Sequence, residues 1–179
     1  MIFRDCTEKL YLMSENIFEK IIHRWNRIGE VRVLVESYFF CILVPLIFYL
    51  LPEWFMVSNG KVHRDGLFDY SSGLVAILFA PVLETIFIFV PVLELLRFLR
   101  VKAIWMALGF ALFFELLHTQ RGFFEHLILY PTMLAMTILY LSMRKKSFLH
   151  AFLFTGVIHE LYNFTVVLAS PMAYETFFY

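Results

Sequence analysis

Polar side chains interrupt otherwise apolar stretches of this chain at four positions that could do acid–base chemistry: Glu84, His118, His159 and Asn163. A carboxylate, two imidazoles and an amide can exchange protons and donate hydrogen bonds, as acid–base sites require. A charged side chain in the middle of a bilayer costs about 2.5–3.5 kcal/mol, so such residues need a reason. Either they form a functional site, or they form hydrogen bonds that join helices.

The composition predicts that a lipid bilayer, rather than water, surrounds most of the chain. Of the 179 residues, 61% are hydrophobic and 22 are Phe, whereas a soluble domain is about half apolar. Apolar segments of membrane-spanning length lie at 33–51, 72–96, 103–120, 123–142 and 148–169. We therefore predict an all-α fold, a polytopic helical membrane bundle with about five transmembrane helices.

Residues 1–32 are predicted to form an N-terminal amphipathic cytoplasmic segment, ahead of a transmembrane domain at 33–179. Ile17, Ile21 and Trp25 recur there at helical spacing, with basic residues between them. Such a helix could lie on the membrane surface or pack on the bundle as an ordinary helix, and both interpretations stay open. The segment has no pattern of a cleavable signal peptide.

The basic residues predict the orientation in the membrane. Most of the 15 lysines and arginines lie before the first apolar segment, between the second and third, or between the fourth and fifth. Cytoplasmic loops are enriched in these residues, so the N-terminus is predicted inside and the C-terminus outside a bacterial inner membrane. Residues 52–71 form the substantial outer loop of this topology.

Counting residues from the basic inner edge places the polar side chains at similar depths. With a rise of about 1.5 Å per residue, Glu84 and His159 lie about 19 Å from that edge, while His118 and Asn163 lie about 24 and 25 Å from it. His159 and Asn163 are four residues apart and share one helix face. A common depth on three helices favours a functional site over scattered hydrogen bonds between helices. Other polar residues lie near outer ends of the segments and are predicted to be solvated or pore-facing: Glu115, Glu125, His126 and Glu160.

Three short motifs carry these residues: APVLETIFIF (80–89), FELLH (114–118) and HELYN (159–163). In this order they resemble the motifs of the CPBP intramembrane proteases, glutamic-type enzymes that include the CAAX prenyl endopeptidases. The family pattern has a second glutamate and an arginine where this chain has Thr85 and Phe89. The resemblance covers about the second half of the chain.

The resemblance implies an intramembrane endopeptidase that uses a water activated by a glutamate. Glu84 would be the general base, and His118 would help to hold and polarise the water. His159 and Asn163 would donate hydrogen bonds to the oxyanion, each such donor being commonly worth about 2.7–4 kcal/mol. The substrate would be a membrane-anchored or exported protein or peptide. The distribution of basic residues, rather than the resemblance, predicts that the site opens toward the outer half of the bilayer. No cofactor is expected in this scheme.

Alternatives to this hydrolase stay open. A zinc-dependent version would use Glu84, His118 and His159 as metal ligands, with water in the fourth position. A catalytically degenerate family member could act as a membrane binding or immunity protein, and the departures at Thr85 and Phe89 make this the stronger of the non-catalytic alternatives. A small transporter subunit would need charges that line both halves of the membrane. The expected partners are the substrate and the lipid bilayer, and the zero net charge without a basic tract argues against nucleic acid.

Overall fold

The computed structural model describes residues 2–49, 79–117 and 123–178. All regular structure in these residues is helical, which confirms the all-α prediction. The elements in chain order are α1 (Ile2–Arg27), α2 (Glu30–Tyr49), α3 (Ala80–Glu84), the π-helix π1 (Thr85–Phe89), α4 (Val90–Phe98), α5 (Ala103–Leu116), α6 (Phe123–Arg144) and α7 (Phe148–Phe178). The predicted outer loop at 52–71 lies outside the described residues.

Helix α6 forms the centre of the bundle because its second half is apolar on nearly every side. Each residue from 135 to 143 is buried, and α1, α2, α5 and α7 all pack against this helix. A helix that is hydrophobic all round is typical of a core position. Its hydroxyl groups bind backbone carbonyls: Thr137 donates to Met133 at 2.7 Å, and Thr132 donates to Cys41 of α2 at 3.0 Å.

The elements α3, π1 and α4 follow one another without a break, and Pro91 explains the π turn between them. Proline has no N–H, and in a regular helix its ring collides with the carbonyl four residues earlier. In π1 the Val90 amide donates instead to the Thr85 carbonyl, five residues back, which widens the turn ahead of Pro91. Such π turns are frequent at functional sites, and this one starts directly after Glu84.

Helix α1 packs on the bundle along one edge of its amphipathic pattern. Ile22 and Trp25 are 2% and 3% exposed and belong to the main hydrophobic core, whereas Ile17 stays exposed. The Trp25 indole also donates to the Glu36 carboxylate of α2 at 3.2 Å. Helix α1 therefore packs on the bundle through Ile22 and Trp25.

A charged cluster lies at the end of the bundle that carries the basic residues. Glu94 of α4 accepts hydrogen bonds from Arg97 at 2.8 Å, Tyr140 at 2.7 Å and Arg144 Nε at 2.9 Å. The carboxylate raises the pKa of the Arg144 guanidinium above its usual value, because it accepts a hydrogen bond from the charged form. The cluster ties α4 to the end of α6.

The helix starts follow the predicted apolar segments closely. Helices α5, α6 and α7 begin at residues 103, 123 and 148, as predicted, and α2 begins at Glu30 rather than at residue 33. Within the described parts of the chain, no helix is both long enough and apolar enough to qualify as a membrane crossing.

Candidate active site

Glu84 and His159 come together where α3 packs against α7. Glu84 is the last residue of α3, and His159 lies near the middle of α7. His159 Nε2 and Glu84 Oε2 are 3.4 Å apart, with the imidazole side chain 3% exposed and the carboxylate side chain 29% exposed. The pair therefore joins a buried ring to a carboxylate that reaches the surface of the bundle.

Thr85 contacts the other nitrogen of the same ring. Its Oγ1 lies 3.3 Å from His159 Nδ1, and the threonine is 1% exposed. A neutral ring with its proton on Nε2 satisfies both contacts, since Nε2–H donates toward Glu84 and Nδ1 accepts from the Thr85 hydroxyl. Both distances exceed the usual hydrogen-bond length of about 2.9 Å, so both contacts are long. Glu84 and Thr85, which are adjacent in the chain, thus each contact one nitrogen of the His159 ring.

Aromatic rings form the wall of the site toward the core. The Phe114 ring meets the His159 ring edge-on, with centroids 6.1 Å apart. Behind it, Phe89 is fully buried and packs edge-on against Phe110 at 4.7 Å. Phe89 stands where the CPBP pattern has an arginine, and here it fills the hydrophobic core. The inner wall is therefore apolar, and polar groups reach His159 from the side of α3 and π1.

The other two predicted site residues differ in how far the structure describes them. Asn163 lies one turn beyond His159 on α7 and is half-buried, so its spacing puts it on the same side of the helix. His118 lies outside the described residues, and the proximity of its ring to Glu84 stays a prediction. The structure therefore brings Glu84 and His159 together and places Asn163 one turn away.

Two hydroxyl groups near His159 are not singled out by the sequence motifs. Thr85 stands out only as a departure from the family pattern, although its position next to Glu84 is a signal that could have found it. Thr155, four residues before His159, is fully buried, and its hydroxyl has no hydrogen-bond partner within the described part of the chain. Buried polar groups usually have hydrogen-bond partners. Because Thr155 lies one turn before His159, its hydroxyl adds a polar group on the same side of α7.

Glu115 is buried, which contradicts the prediction that it would be solvated or pore-facing. It is 4% exposed and follows Phe114, whose ring packs on His159. The prediction was wrong because depth along a helix does not determine which way a side chain faces. Glu160 is half-buried, and the side chains of Glu125 and His126 lie outside the described residues.

A metal centre has no complete ligand set in the part of the chain that the structure describes. No three His, Cys, Asp or Glu side chains gather there as metal ligands would. The zinc alternative needs His118, which lies outside that part, together with Glu84 and His159. The alternative therefore stays open.

No model of a known protein family matches this chain, and comparison with curated proteins and with solved structures gives no significant match. The resemblance to the CPBP proteases consequently depends on the three short motifs and on the residues they contain.

Proposed function

We propose that this protein is an intramembrane endopeptidase that hydrolyses peptide bonds of membrane-anchored or exported proteins. The observation that carries the proposal is the contact of 3.4 Å between Glu84 and His159. A carboxylate and an imidazole in direct contact, inside an apolar bundle, can exchange protons with a water and with a developing oxyanion. The contact of Thr85 with the far side of the ring supports the same interpretation.

In the proposed reaction, Glu84 takes a proton from a water molecule while the water oxygen attacks the carbonyl carbon. Negative charge moves to the carbonyl oxygen, which accepts a hydrogen bond from the Asn163 amide. It also accepts one from His159 Nε2–H, which turns from Glu84 to the oxyanion once the carboxylate has taken the proton. When the C–N bond breaks, Glu84 returns its proton to the leaving amine. The products are a carboxylic acid and an amine. His118 would help to hold the attacking water.

Apolar side chains that face outward support a bilayer around the bundle. Phe39, Phe87, Phe98 and Trp105 are 65%, 71%, 82% and 54% exposed and lie on four different elements. Exposed apolar surface of this kind marks proteins that bind membranes or other proteins. The proposal therefore keeps the predicted polytopic membrane bundle with about five transmembrane helices.

The surroundings of Glu84 suit a substrate that approaches from the side. Leu83 and Phe87, on either side of Glu84 in the chain, are 51% and 71% exposed, while Glu84 itself is partly exposed. A peptide segment embedded in the bilayer could reach the carboxylate along this apolar surface. Such lateral access fits a membrane-anchored substrate better than a freely soluble one.

The basic end of the bundle supports the proposed orientation. Arg97, Arg144 and Lys145 line one pocket there, and Lys146 lies 3.7 Å from Glu30. Basic ends of membrane proteins face the cytoplasm. Because Glu84 lies about 19 Å from this end along the helices, the proposed orientation places it in the outer half of a bacterial inner membrane.

Cleavage of a fluorogenic membrane-anchored peptide by the purified protein tests the proposal. Wild type should cleave the peptide, and Glu84→Gln, which keeps the shape of the side chain and removes its basicity, should not. Full activity in this variant would rule out the mechanism. A wild-type protein that cleaves no membrane peptide would favour the degenerate binding or immunity protein instead.

A chelator added to the same assay separates the two versions of the hydrolase. Activity should persist in the metal-free scheme, since no step there needs a metal. Activity that is lost with the chelator and restored by zinc would indicate that His118 and His159 are metal ligands. Zinc would then lower the pKa of the bound water.

A further inference from the structure

A pocket of about 330 Å³ lies at the basic end of the bundle, between α1, the turn from α4 to α5 and the end of α6. Its floor is apolar, since Ile22, Met106 and Leu141 line it and are buried in the core. This pocket is separate from the Glu84 site, because Arg97, which lines the pocket, follows Glu84 by thirteen residues on one continuous helical stretch, or about 20 Å.

Cations dominate the polar part of the pocket. Arg97, Arg144 and Lys145 line it, together with the carboxylate of Glu19. Arg97 and Arg144 also donate to Glu94, so cations outnumber carboxylates even when Glu94 is included. Lys145 forms no ion pair with any residue that the structure describes. The pocket therefore has positive charge that its own acidic groups do not compensate.

Helix α5 begins at the same pocket. Its first residue, Ala103, is part of the lining, and the preceding Lys102 forms no side-chain cap on the helix. The N-terminal end of a helix carries a partial positive charge. This charge adds to the field of the three cationic side chains, and an apolar floor lies directly beneath them.

We propose that this pocket binds the phosphate headgroup of an anionic phospholipid, with the adjoining glycerol and first methylene groups on the apolar floor. The proposal rests on the membrane location given under the proposed function, and it is independent of peptide hydrolysis. Phosphate groups are bound by arginine and lysine together. Anionic lipid surfaces attract basic residues at the cytoplasmic side of membrane proteins, which is the side proposed for this end of the bundle.

Thermal unfolding of the full chain, purified in a neutral detergent, tests the proposal when phosphatidylglycerol or phosphatidylcholine is titrated into the micelles. Phosphatidylglycerol should raise the Tm and phosphatidylcholine should not. In Lys145→Gln, the half-saturating concentration of phosphatidylglycerol should rise about fivefold, because one uncompensated cation is lost. Lys20→Gln is the matched control, since Lys20 is exposed on α1 outside this pocket, and its titration should equal that of wild type.

Three outcomes would overturn the proposal. Equal stabilisation by the two lipids would mean that no headgroup is recognised, and an equal effect of Lys20→Gln would mean diffuse surface charge. Inorganic phosphate that reproduces the shift without lipid would make the ligand a soluble phosphate. The Glu84→Gln variant should keep the full response to phosphatidylglycerol even though it cleaves no peptide, so failure of the pocket and failure of the peptidase are distinguishable.

Discussion

Two carboxylates on the same helical stretch have opposite surroundings. Glu84 ends α3 and Glu94 lies in α4, and both side chains are 29% exposed. Glu94 accepts hydrogen bonds from Arg97, Tyr140 and Arg144. Glu84 instead faces the imidazole of His159 at 3.4 Å. The two residues differ in their partners rather than in their burial.

The difference suits Glu94 to a structural role and Glu84 to the proposed reaction. Two guanidinium groups compensate the charge of Glu94 and orient both of its oxygens, so that side chain is suited to holding α4 against α6. An imidazole can donate, accept or carry a proton, so the Glu84–His159 contact can change its protonation during a reaction. We expect substitutions at Glu84 to affect activity, and substitutions at Glu94 to affect stability.

The largest effect should separate the two glutamates in the cleavage assay. Glu84→Gln should lower kcat by roughly 10⁴-fold, the upper range for loss of a general base. Glu94→Gln, the same chemical change ten residues away, should leave kcat per folded molecule nearly unchanged because Glu94 lies outside the site. The assay must be corrected for the folded fraction of each variant. Equal losses in both variants would remove the distinction between the two carboxylates.

Loss of one oxyanion donor should have the next largest effect. Asn163→Ala should lower kcat by about 10²–10³-fold, with KM little changed, because in the proposed mechanism its amide binds the charge that develops in the transition state. Leu161→Ala is the matched control, since Leu161 is an exposed residue on the same helix. Steady-state kinetics measure both. A wild-type kcat in Asn163→Ala would exclude this residue from the oxyanion site.

A smaller effect should follow from removing the hydroxyl that positions His159. Thr85→Val keeps the branched shape but loses the contact with Nδ1, and one lost hydrogen bond should lower kcat about tenfold. Thr85→Ser restores a hydroxyl at the same place, so it should recover most of the activity at an unchanged KM. If serine and valine behave alike, Thr85 has a packing role only.

The smallest free-energy change should appear in the stability of Glu94→Gln. A neutral amide leaves Arg97 and Arg144 without a carboxylate partner, which should reduce the free energy of unfolding by about 1 kcal/mol. Because the cluster is partly exposed, solvent limits the loss. Thermal unfolding should give a Tm a few degrees below wild type, whereas Glu84→Gln should unfold close to the wild-type temperature. The reverse order would contradict the comparison.

The helices could be predicted because their signal is local. Apolar stretches that begin at 103, 123 and 148 became α5, α6 and α7 at those same residues, since the boundaries depend on nearby basic and turn residues. The π turn could not be predicted so directly. Pro81 and Pro91 flank the segment, and the sequence alone does not distinguish a helix that widens into π1 ahead of Pro91 from one that breaks there.

The candidate site could be predicted in part for the same reason. A constant rise per residue allowed the depths of Glu84 and His159 to be compared without a structure. The rise says nothing about rotation relative to neighbouring helices, which is why Glu115 was misassigned although it is buried. It also gave no reason to pair Thr85 with a ring that lies 74 positions further along the chain.

The sequence by itself determined which stretches of this protein are helical, which end of the bundle is basic, and how far along their helices its polar residues lie from that end. These properties follow from composition and from the fixed geometry of the helix. Tertiary structure alone decided that Arg97, Arg144 and Tyr140 would surround Glu94 while His159 would meet Glu84. Partners from distant helices set the chemistry of a carboxylate, and their positions depend on how the helices pack rather than on any neighbouring residue.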